Sequence, residues 1–209
     1  MPAVSDSQSL STIPLFRGLT SDELNRINAL LHRKTFPAGM SLFTAEQPGE
    51  VAYLIVSGTV KVAAEQADGS IVILAIRGPG EIVGELSLID NAGRSASVST
   101  LEESTLLWID RVAFQACLQA IPPLAYNLLE ILARRLRLAS AQIQALATQD
   151  LYGRVARQLL ALAEAYGQPA AADGTLIPLH LTQSDLAGLV GASRSRVNQV
   201  LESLLVCWQ

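Results

Sequence analysis

Between Thr35 and Ile109, glycines recur at positions 39, 49, 58, 69, 78, 80, 84 and 93, with short β-branched runs between them. The runs are Val51-Ala52-Tyr53-Leu54-Ile55-Val56, Thr59-Val60-Lys61-Val62, Ile71-Val72-Ile73-Leu74, Ser95 to Thr100, and Leu106-Leu107-Trp108-Ile109. Such residues pack well on a pleated surface. Asp68-Gly69, lying between two of these runs, is a hairpin signal, and Ser57-Gly58 marks another tight turn. This stretch predicts a small antiparallel barrel or roll of about eight strands. Residues 85–90 form a short helical turn inserted between strands.

Helical spacing flanks this region on both sides. Residues 14–33 predict a helix capped by Thr20, with Asp22 and Glu23 in its first turn and Leu24, Ile27, Leu30 and Leu31 on one face. Residues 111–120 predict a short helix that stops before Pro122-Pro123. One long helix then covers residues 123–147. Its Leu129, Leu132, Leu136, Ala139, Ile143 and Leu146 step by threes and fours, an a/d seam over nearly three heptads. So narrow a seam suits a partner helix and predicts a homodimer. The Arg134-Arg135-Arg137 cluster is expected on the solvated face. After a break at Thr148-Gln149-Asp150, residues 150–166 predict a helix with Leu151, Val155, Leu159 and Leu162 on one face. Residues 167–173 are expected to be loop and residues 175–181 strand.

The chain has 209 residues, half of them apolar, enough for two modest domains with a core each. No apolar run reaches the ~18 residues that cross a bilayer. The first residues lack a positive start and an apolar stretch, so a signal peptide is not expected and the cytoplasm is the expected compartment. Cys117 and Cys207 lie outside any CxxC spacing, so no iron–sulfur cluster is expected. His32 and His180 are too scattered for a metal site. No Ser/His/Asp or Cys/His arrangement is visible, so no enzyme is expected. Net charge is −4, divided as −6 over residues 1–133 and +2 over residues 134–209. An acidic first part and a mildly basic last part fit a sensor joined to a nucleic-acid-binding module.

Two segments carry chemistry. In residues 84–96, Gly-Glu-Leu-Ser-Leu-Ile-Asp-Asn-Ala-Gly-Arg-Ser-Ala, Glu85 precedes Arg94 by nine positions, and the small-residue turn Asn91-Ala92-Gly93 lies just before the arginine. A guanidinium grips phosphate oxygens in pairs. Backbone N–H groups in a tight turn bind anions, and a carboxylate accepts from a sugar hydroxyl. In residues 182–204, Thr182 and Asp185 resemble a capping box, and Leu186, Ala187 and Val190 form a buried face. Gly191 permits a sharp turn, and Ser193 caps a second helix buried through Val197, Val200, Leu201 and Leu204. The opposite face holds Arg194, Ser195, Arg196, Asn198 and Gln199. This order predicts a helix-turn-helix whose second helix meets base edges in the major groove. Thr182 and Gln183 are placed for phosphates.

Residues 84–96 resemble the phosphate-binding cassette of cyclic-nucleotide-binding domains. Cassette, seam and helix-turn-helix, together with Ile13-Pro14-Leu15-Phe16-Arg17-Gly18-Leu19-Thr20 and Asp150-Leu151-Tyr152-Gly153-Arg154-Val155-Ala156, are similar to the cyclic-AMP receptor protein family (CRP/FNR superfamily) of transcription regulators. The resemblance implies an α+β chain: a cyclic-nucleotide-binding β-roll over residues 1–121, a dimerisation helix and hinge over 122–147, and a winged-helix-type DNA-binding domain over 148–209. It implies that Glu85 holds the ribose 2′-hydroxyl, that Arg94, Ser95 and Ala96 take the cyclic phosphate, and that Gly84 and Leu86 lend backbone. The ligand implied is a cyclic nucleotide, cAMP foremost, with no metal, haem or iron–sulfur cluster. The partners implied are a second copy, double-stranded DNA with a two-fold symmetric site, and RNA polymerase, with no membrane.

Three departures set expectations of their own. The family's base-reading Thr-Ser pair on the dimer helix is here Ala139-Ser140, which puts base selectivity in question. The recognition helix reads Ser-Arg-Ser-Arg-Val-Asn-Gln rather than Ser-Arg-Glu-Thr-Val-x-Arg, so a different operator is expected. The sequence stops at Val206-Cys207-Trp208-Gln209, where family members continue into a two-stranded wing. On that ground Cys207 and Trp208 are expected near an uncovered core edge. The alternative function is a dimeric sensor of another ligand, or of none, with impaired DNA binding.

Overall fold

The computed structural model describes residues 10–170 and 174–206, so Cys207 and Trp208 lie outside the described residues. The chain divides into two compact units. One comprises Met1–Ala64 and Ala75–Arg137, the other Glu65–Leu74 and Leu138–Gln209.

Among its described residues the first unit has a 3-10 turn at Pro14–Phe16, then helix α1 (Ser21–Asn28). The single helix expected over residues 14–33 is therefore three pieces. Gly18 at φ +76° breaks it, and a reciprocal capping box between Thr20 and Glu23 starts α1 afresh. Strand β1 (His32–Phe36) follows at once. His32 thus belongs to the roll and not to an N-terminal helix, and its ring stacks on Trp108 with centroids 4.2 Å apart.

Strands β2 (Ser41–Phe43), β3 (Val51–Ser57), β4 (Val60–Glu65), β5 (Ile71–Arg77) and β6 (Ile82–Val83) come next. A short helix α2 (Leu86–Asp90) separates them from β7 (Ser97–Thr100) and β8 (Ser104–Asp110). The eight strands form two four-stranded sheets, in the orders β1-β8-β3-β6 and β2-β7-β4-β5. In the first sheet β3 and β8 pair antiparallel, Tyr53 opposite Trp108 and Leu54 opposite Leu107.

Successive side chains on a strand point to opposite faces, and here both faces of that sheet are covered. Ile55 and Leu106 join Phe36, Phe43, Val60, Val83 and Val98 between the sheets. Their neighbours Leu54 and Leu107 face outward into a second cluster with Leu24, Ile27, Phe114, Leu124, Leu128 and Ile131. Burial on both faces explains why these strands read as nearly continuous apolar runs. The outer cluster is supplied by α1, α3 (Arg111–Ala120) and α4 (Pro122–Thr148).

On α4 the residues turned to the unit's own core are Leu124, Leu128 and Ile131. The seam lies elsewhere on the helix. Leu129, Leu136, Ala139, Ile143 and Leu146 are exposed in the single chain, while Leu132 is partly buried against the core.

In the second unit, α5 (Leu151–Tyr166) is capped by Asp150, whose side chain accepts from the Gly153 N–H at 2.8 Å. The strand expected over residues 175–181 shrinks to β10 (Thr175–Leu176), which pairs with β9 (Gln168–Pro169) inside the stretch expected to be loop. Pro178 has no N–H to donate, and a three-residue turn from the Leu181 N–H to the Leu179 carbonyl ends the extended run. Helices α6 (Gln183–Val190) and α7 (Arg194–Val206) complete the unit. Leu151, Val155, Leu186, Ala187, Val190 and Val197 form its core, with Leu159, Val200, Leu201 and Leu204 packed around them. Among the described residues no single helix is long and apolar enough to cross a membrane.

Candidate functional site

The cassette is built by backbone before any side chain acts. After β6, Gly84 turns the chain at φ +80°. Glu85 enters a helical conformation and leads into α2, which ends at Asn91 in the left-handed region. Asp90 accepts from the Ala92 N–H at 2.9 Å. The Arg94 N–H then donates to the Gln47 carbonyl at 2.9 Å, and the Arg94 carbonyl accepts from Glu46 N–H at 3.0 Å. The loop is thereby tied to the segment between β2 and β3. Arg111, at the start of α3, frames the same corner. It donates to the Gly49 carbonyl from Nε at 3.1 Å and from Nη2, and from Nη1 to the Asn91 side-chain oxygen.

Arg94 is only 6% exposed. Its Nη1 donates to the Gly84 carbonyl at 2.9 Å and to Ser87 Oγ at 3.0 Å, and its Nη2 to the Val51 carbonyl at 2.7 Å. The guanidinium lies over the Phe43 ring, 4.0 Å from its centroid, a favourable cation–π placement. Its Nε is buried with no acceptor. Burial pushes this guanidinium below its ordinary pKa. Burial also pushes the nearby Tyr53 phenol up, against the pull of Arg94.

Glu85 is 2% exposed. Its Oε1 accepts from Arg135 Nη1 at 2.7 Å, and Arg135 Nη2 donates to the Ile82 carbonyl at 2.6 Å. Arg135 is therefore not on the solvated face: its side chain is 16% exposed and its Nε is buried without an acceptor. The reason is its register on α4, where it continues the inward row of Leu124, Leu128 and Ile131 one turn further. The site thus holds one buried guanidinium, one largely buried guanidinium and one buried carboxylate. Arg94, the one without a carboxylate, leans on carbonyls, a hydroxyl and a ring. A buried charge of that kind is costly until an anion reaches it.

The structure groups Gly84, Glu85, Leu86, Arg94, Ser95 and Ala96 on this one loop–helix–loop, with Ser95 and much of Leu86 exposed and Ala96 buried. Ala139 and Ser140 are exposed on α4 within the second unit. Sequence reasoning missed three neighbours: Arg135, whose inward register was legible, Ser87, which stood inside the cassette, and Phe43, for which no signal stood out. Gly84 is tied to the site by space. A Cβ built on it would lie 2.6 Å from Arg94 Nη1 and 3.2 Å from the Phe43 ring. Gly84→Ala is expected to push Arg94 aside and lower ligand affinity about tenfold or more, read by calorimetry. Unchanged affinity would show that Arg94 is not held where the cassette needs it.

In the second unit the capping box of Thr182 and Asp185 is present in full. The Thr182 hydroxyl donates to Asp185 Oδ2 at 2.6 Å and accepts from the Asp185 N–H at 3.1 Å. Its hydrogen is thereby committed inside the box, so Gln183 is the freer of the two expected phosphate contacts. Gly191 adopts φ +65° between α6 and α7, and Arg154 Nε braces the turn at the Val190 carbonyl, 3.0 Å away. Ser193, just before α7, is exposed, as are Arg194, Ser195, Arg196 and Gln199 on the outer face of the helix. Asn198 is half-buried and its side-chain oxygen is buried without a partner, so it sits at the edge of that face rather than on it. Among the described residues there is no group of three or more His, Cys, Asp or Glu side chains that could hold a metal ion.

Residues 33–120 match the family of cyclic nucleotide-binding domains, and residues 153–205 match the Crp-like helix-turn-helix domain. The chain is 37% identical over 193 residues to the CRP-like cAMP-activated global transcriptional regulator of Mycobacterium tuberculosis, spanning 92% of this chain and 85% of that one. It is 35% identical over 191 residues to the cyclic AMP receptor protein of Thermus thermophilus, spanning 91% and 85%. Among solved structures, the c-di-GMP-responsive global regulator CLP of Xanthomonas campestris aligns with a TM-score of 0.78 at 28% identity, covering 90% of this chain and 92% of that one. The catabolite activator protein of T. thermophilus aligns at 0.59 with 33% identity, covering 92% and 86%. A cyclic nucleotide-binding domain followed by a helix-turn-helix defines a class of ligand-responsive DNA-binding proteins. Within that class, this chain belongs to the CRP/FNR family of transcription regulators.

Proposed function

We propose that this regulator is a homodimer gated by a cyclic nucleotide, cAMP foremost, bound at the cassette. The observation that carries the reading is Arg94: a buried guanidinium with no carboxylate partner and with hydrogen-bond donors still unused. A cyclic phosphodiester brings one negative charge and two free oxygens, which matches that deficit. Glu85, steadied by Arg135 through Oε1, offers Oε2 to the ribose 2′-hydroxyl. The cAMP-activated relatives favour an adenine nucleotide, and the c-di-GMP-responsive neighbour makes a cyclic dinucleotide the competing ligand.

In this reading residues 1–121 sense, residues 122–147 dimerise and residues 148–209 bind DNA in the compartment that holds it. Calorimetry against cAMP, cGMP and c-di-GMP tests the ligand. Binding of cAMP with the strongest affinity is expected, and no binding of any cyclic nucleotide at millimolar concentration would sink the reading.

The output is tested by selection from randomised duplex in a gel shift, with a two-fold symmetric site expected in the presence of ligand. Arg194→Ala is then expected to lower affinity for the selected site about 10- to 100-fold, the scale of one lost bidentate base contact, and to relax preference at one position of each half-site. An equal loss on all sequences would mark Arg194 as a phosphate contact instead.

A further inference from the structure

Arg94 has five N–H hydrogens and makes three side-chain hydrogen bonds among the described residues. Nη1 donates to the Gly84 carbonyl and to Ser87 Oγ. One hydrogen of Nη2 is taken by the Val51 carbonyl. The Nε–H finds no acceptor among the described residues and Nη2 carries a single bond; Nε and Nη2 share one edge of the planar group. That edge is the one with which a guanidinium takes two oxygens of a phosphate at once.

Of the three acceptors that set the plane, two are backbone carbonyls and only Ser87 is a side chain. Ser87 is 2% exposed, and its hydroxyl donates onward to the Gly84 carbonyl at 3.2 Å. It is also held in place from outside. A Cβ built on Gly49 would fall 2.1 Å from Ser87 Oγ, so the bare glycine backbone closes directly over the hydroxyl.

We propose that Ser87 is a positioning residue for phosphate capture: with the Gly84 and Val51 carbonyls it locks the Arg94 guanidinium plane, leaving the Nε/Nη2 edge as a ready two-point donor. This rests on the cyclic-nucleotide reading of the site. Ser87 does not touch the ligand. It acts through Arg94 by holding the far edge of the fork, so that no torsional freedom is lost when the phosphate arrives.

The test uses the full chain and the two phosphorothioate diastereomers of cAMP, in which sulfur replaces one or the other exocyclic oxygen. A locked fork meets the two oxygens unequally, so the wild type is expected to discriminate between the diastereomers. Ser87→Ala removes one oxygen atom and little volume, and is expected to keep its melting temperature within a few degrees. It is expected to bind cAMP about tenfold more weakly and to lose most of the discrimination between diastereomers. A purely structural loss would weaken both diastereomers alike and leave their ratio unchanged, which would overturn the proposal. Unchanged cAMP affinity would overturn it as well. So would tighter binding, which would make the hydroxyl a competitor of the phosphate. Absence of wild-type binding to any cyclic nucleotide removes the underlying reading together with the proposal. Wild-type binding with an unaffected Ser87→Ala removes the proposal alone.

Discussion

Arg94→Ala is expected to abolish measurable cyclic-nucleotide binding, with a loss of about 10²–10³-fold or more in calorimetric affinity. The size follows from what is removed. The guanidinium supplies a full charge and a two-point fork in a water-poor setting, where deleting one partner of a buried ionic contact costs about 3–5 kcal/mol. The effect on folding is expected to be far smaller, because two changes oppose each other. Deleting a charge that no carboxylate balances relieves a desolvation cost. It also strands the Val51 carbonyl, leaves the Gly84 carbonyl with the Ser87 hydroxyl alone, and empties space beside Phe43. Circular dichroism and a thermal melt should therefore show a folded chain that no longer binds. Arg94→Lys separates charge from shape: it keeps the charge, loses the fork, and is expected to fall between wild type and alanine. Wild-type affinity in Arg94→Ala would mean that the anion is held elsewhere.

The distance between sequence and structure is instructive residue by residue. The glycine-punctuated runs marked the roll because positive-φ turns and β-branched strands leave a local signature; Gly58, Gly69 and Gly84 all turn with φ near +80°. The helix-turn-helix was equally legible, since its capping box, its Gly191 turn and its buried rows are all short-range patterns. The N-terminal helix was overextended because apolar spacing continues through Leu30 and Leu31. What ends the helix is the pairing of β1 along β8, a long-range contact that no local pattern carries. Arg135 was misplaced because three arginines in four residues suggest a wet face. Their separate registers were the better guide, and only Arg135 falls on the inward row. Phe43 and Ser87 come to Arg94 from different elements, and their role exists only after the chain has closed.

The seam on α4 yields the other large effect. Leu136 and Ile143 are 69% and 68% exposed in the single chain, on a row that also exposes Leu129 and Leu146. An apolar stripe at alternating three- and four-residue steps is the pattern that packs knobs into the holes of a second helix, and the described residues leave it largely open apart from partial burial of Leu132. The double variant Leu136→Glu, Ile143→Glu is expected to convert a dimer into a monomer, shifting the dissociation constant at least about 10³-fold. Two-fold symmetry makes each substitution appear twice in the interface. The change therefore forfeits the burial of four large side chains, each worth about 1.5–3 kcal/mol, and sets carboxylates against one another. Folding of the single chain should be nearly untouched, because the replaced side chains face water and glutamate is a good helix former. Sedimentation equilibrium reads the assembly, and far-ultraviolet dichroism confirms the retained helix. A wild type that is monomeric at micromolar concentration, or a variant that stays dimeric, would overturn the assignment of this stripe. DNA supplies an independent readout. Two half-sites are bound together only when two recognition helices are coupled, so the monomeric variant is expected to retain only half-site affinity, whatever ligand is present.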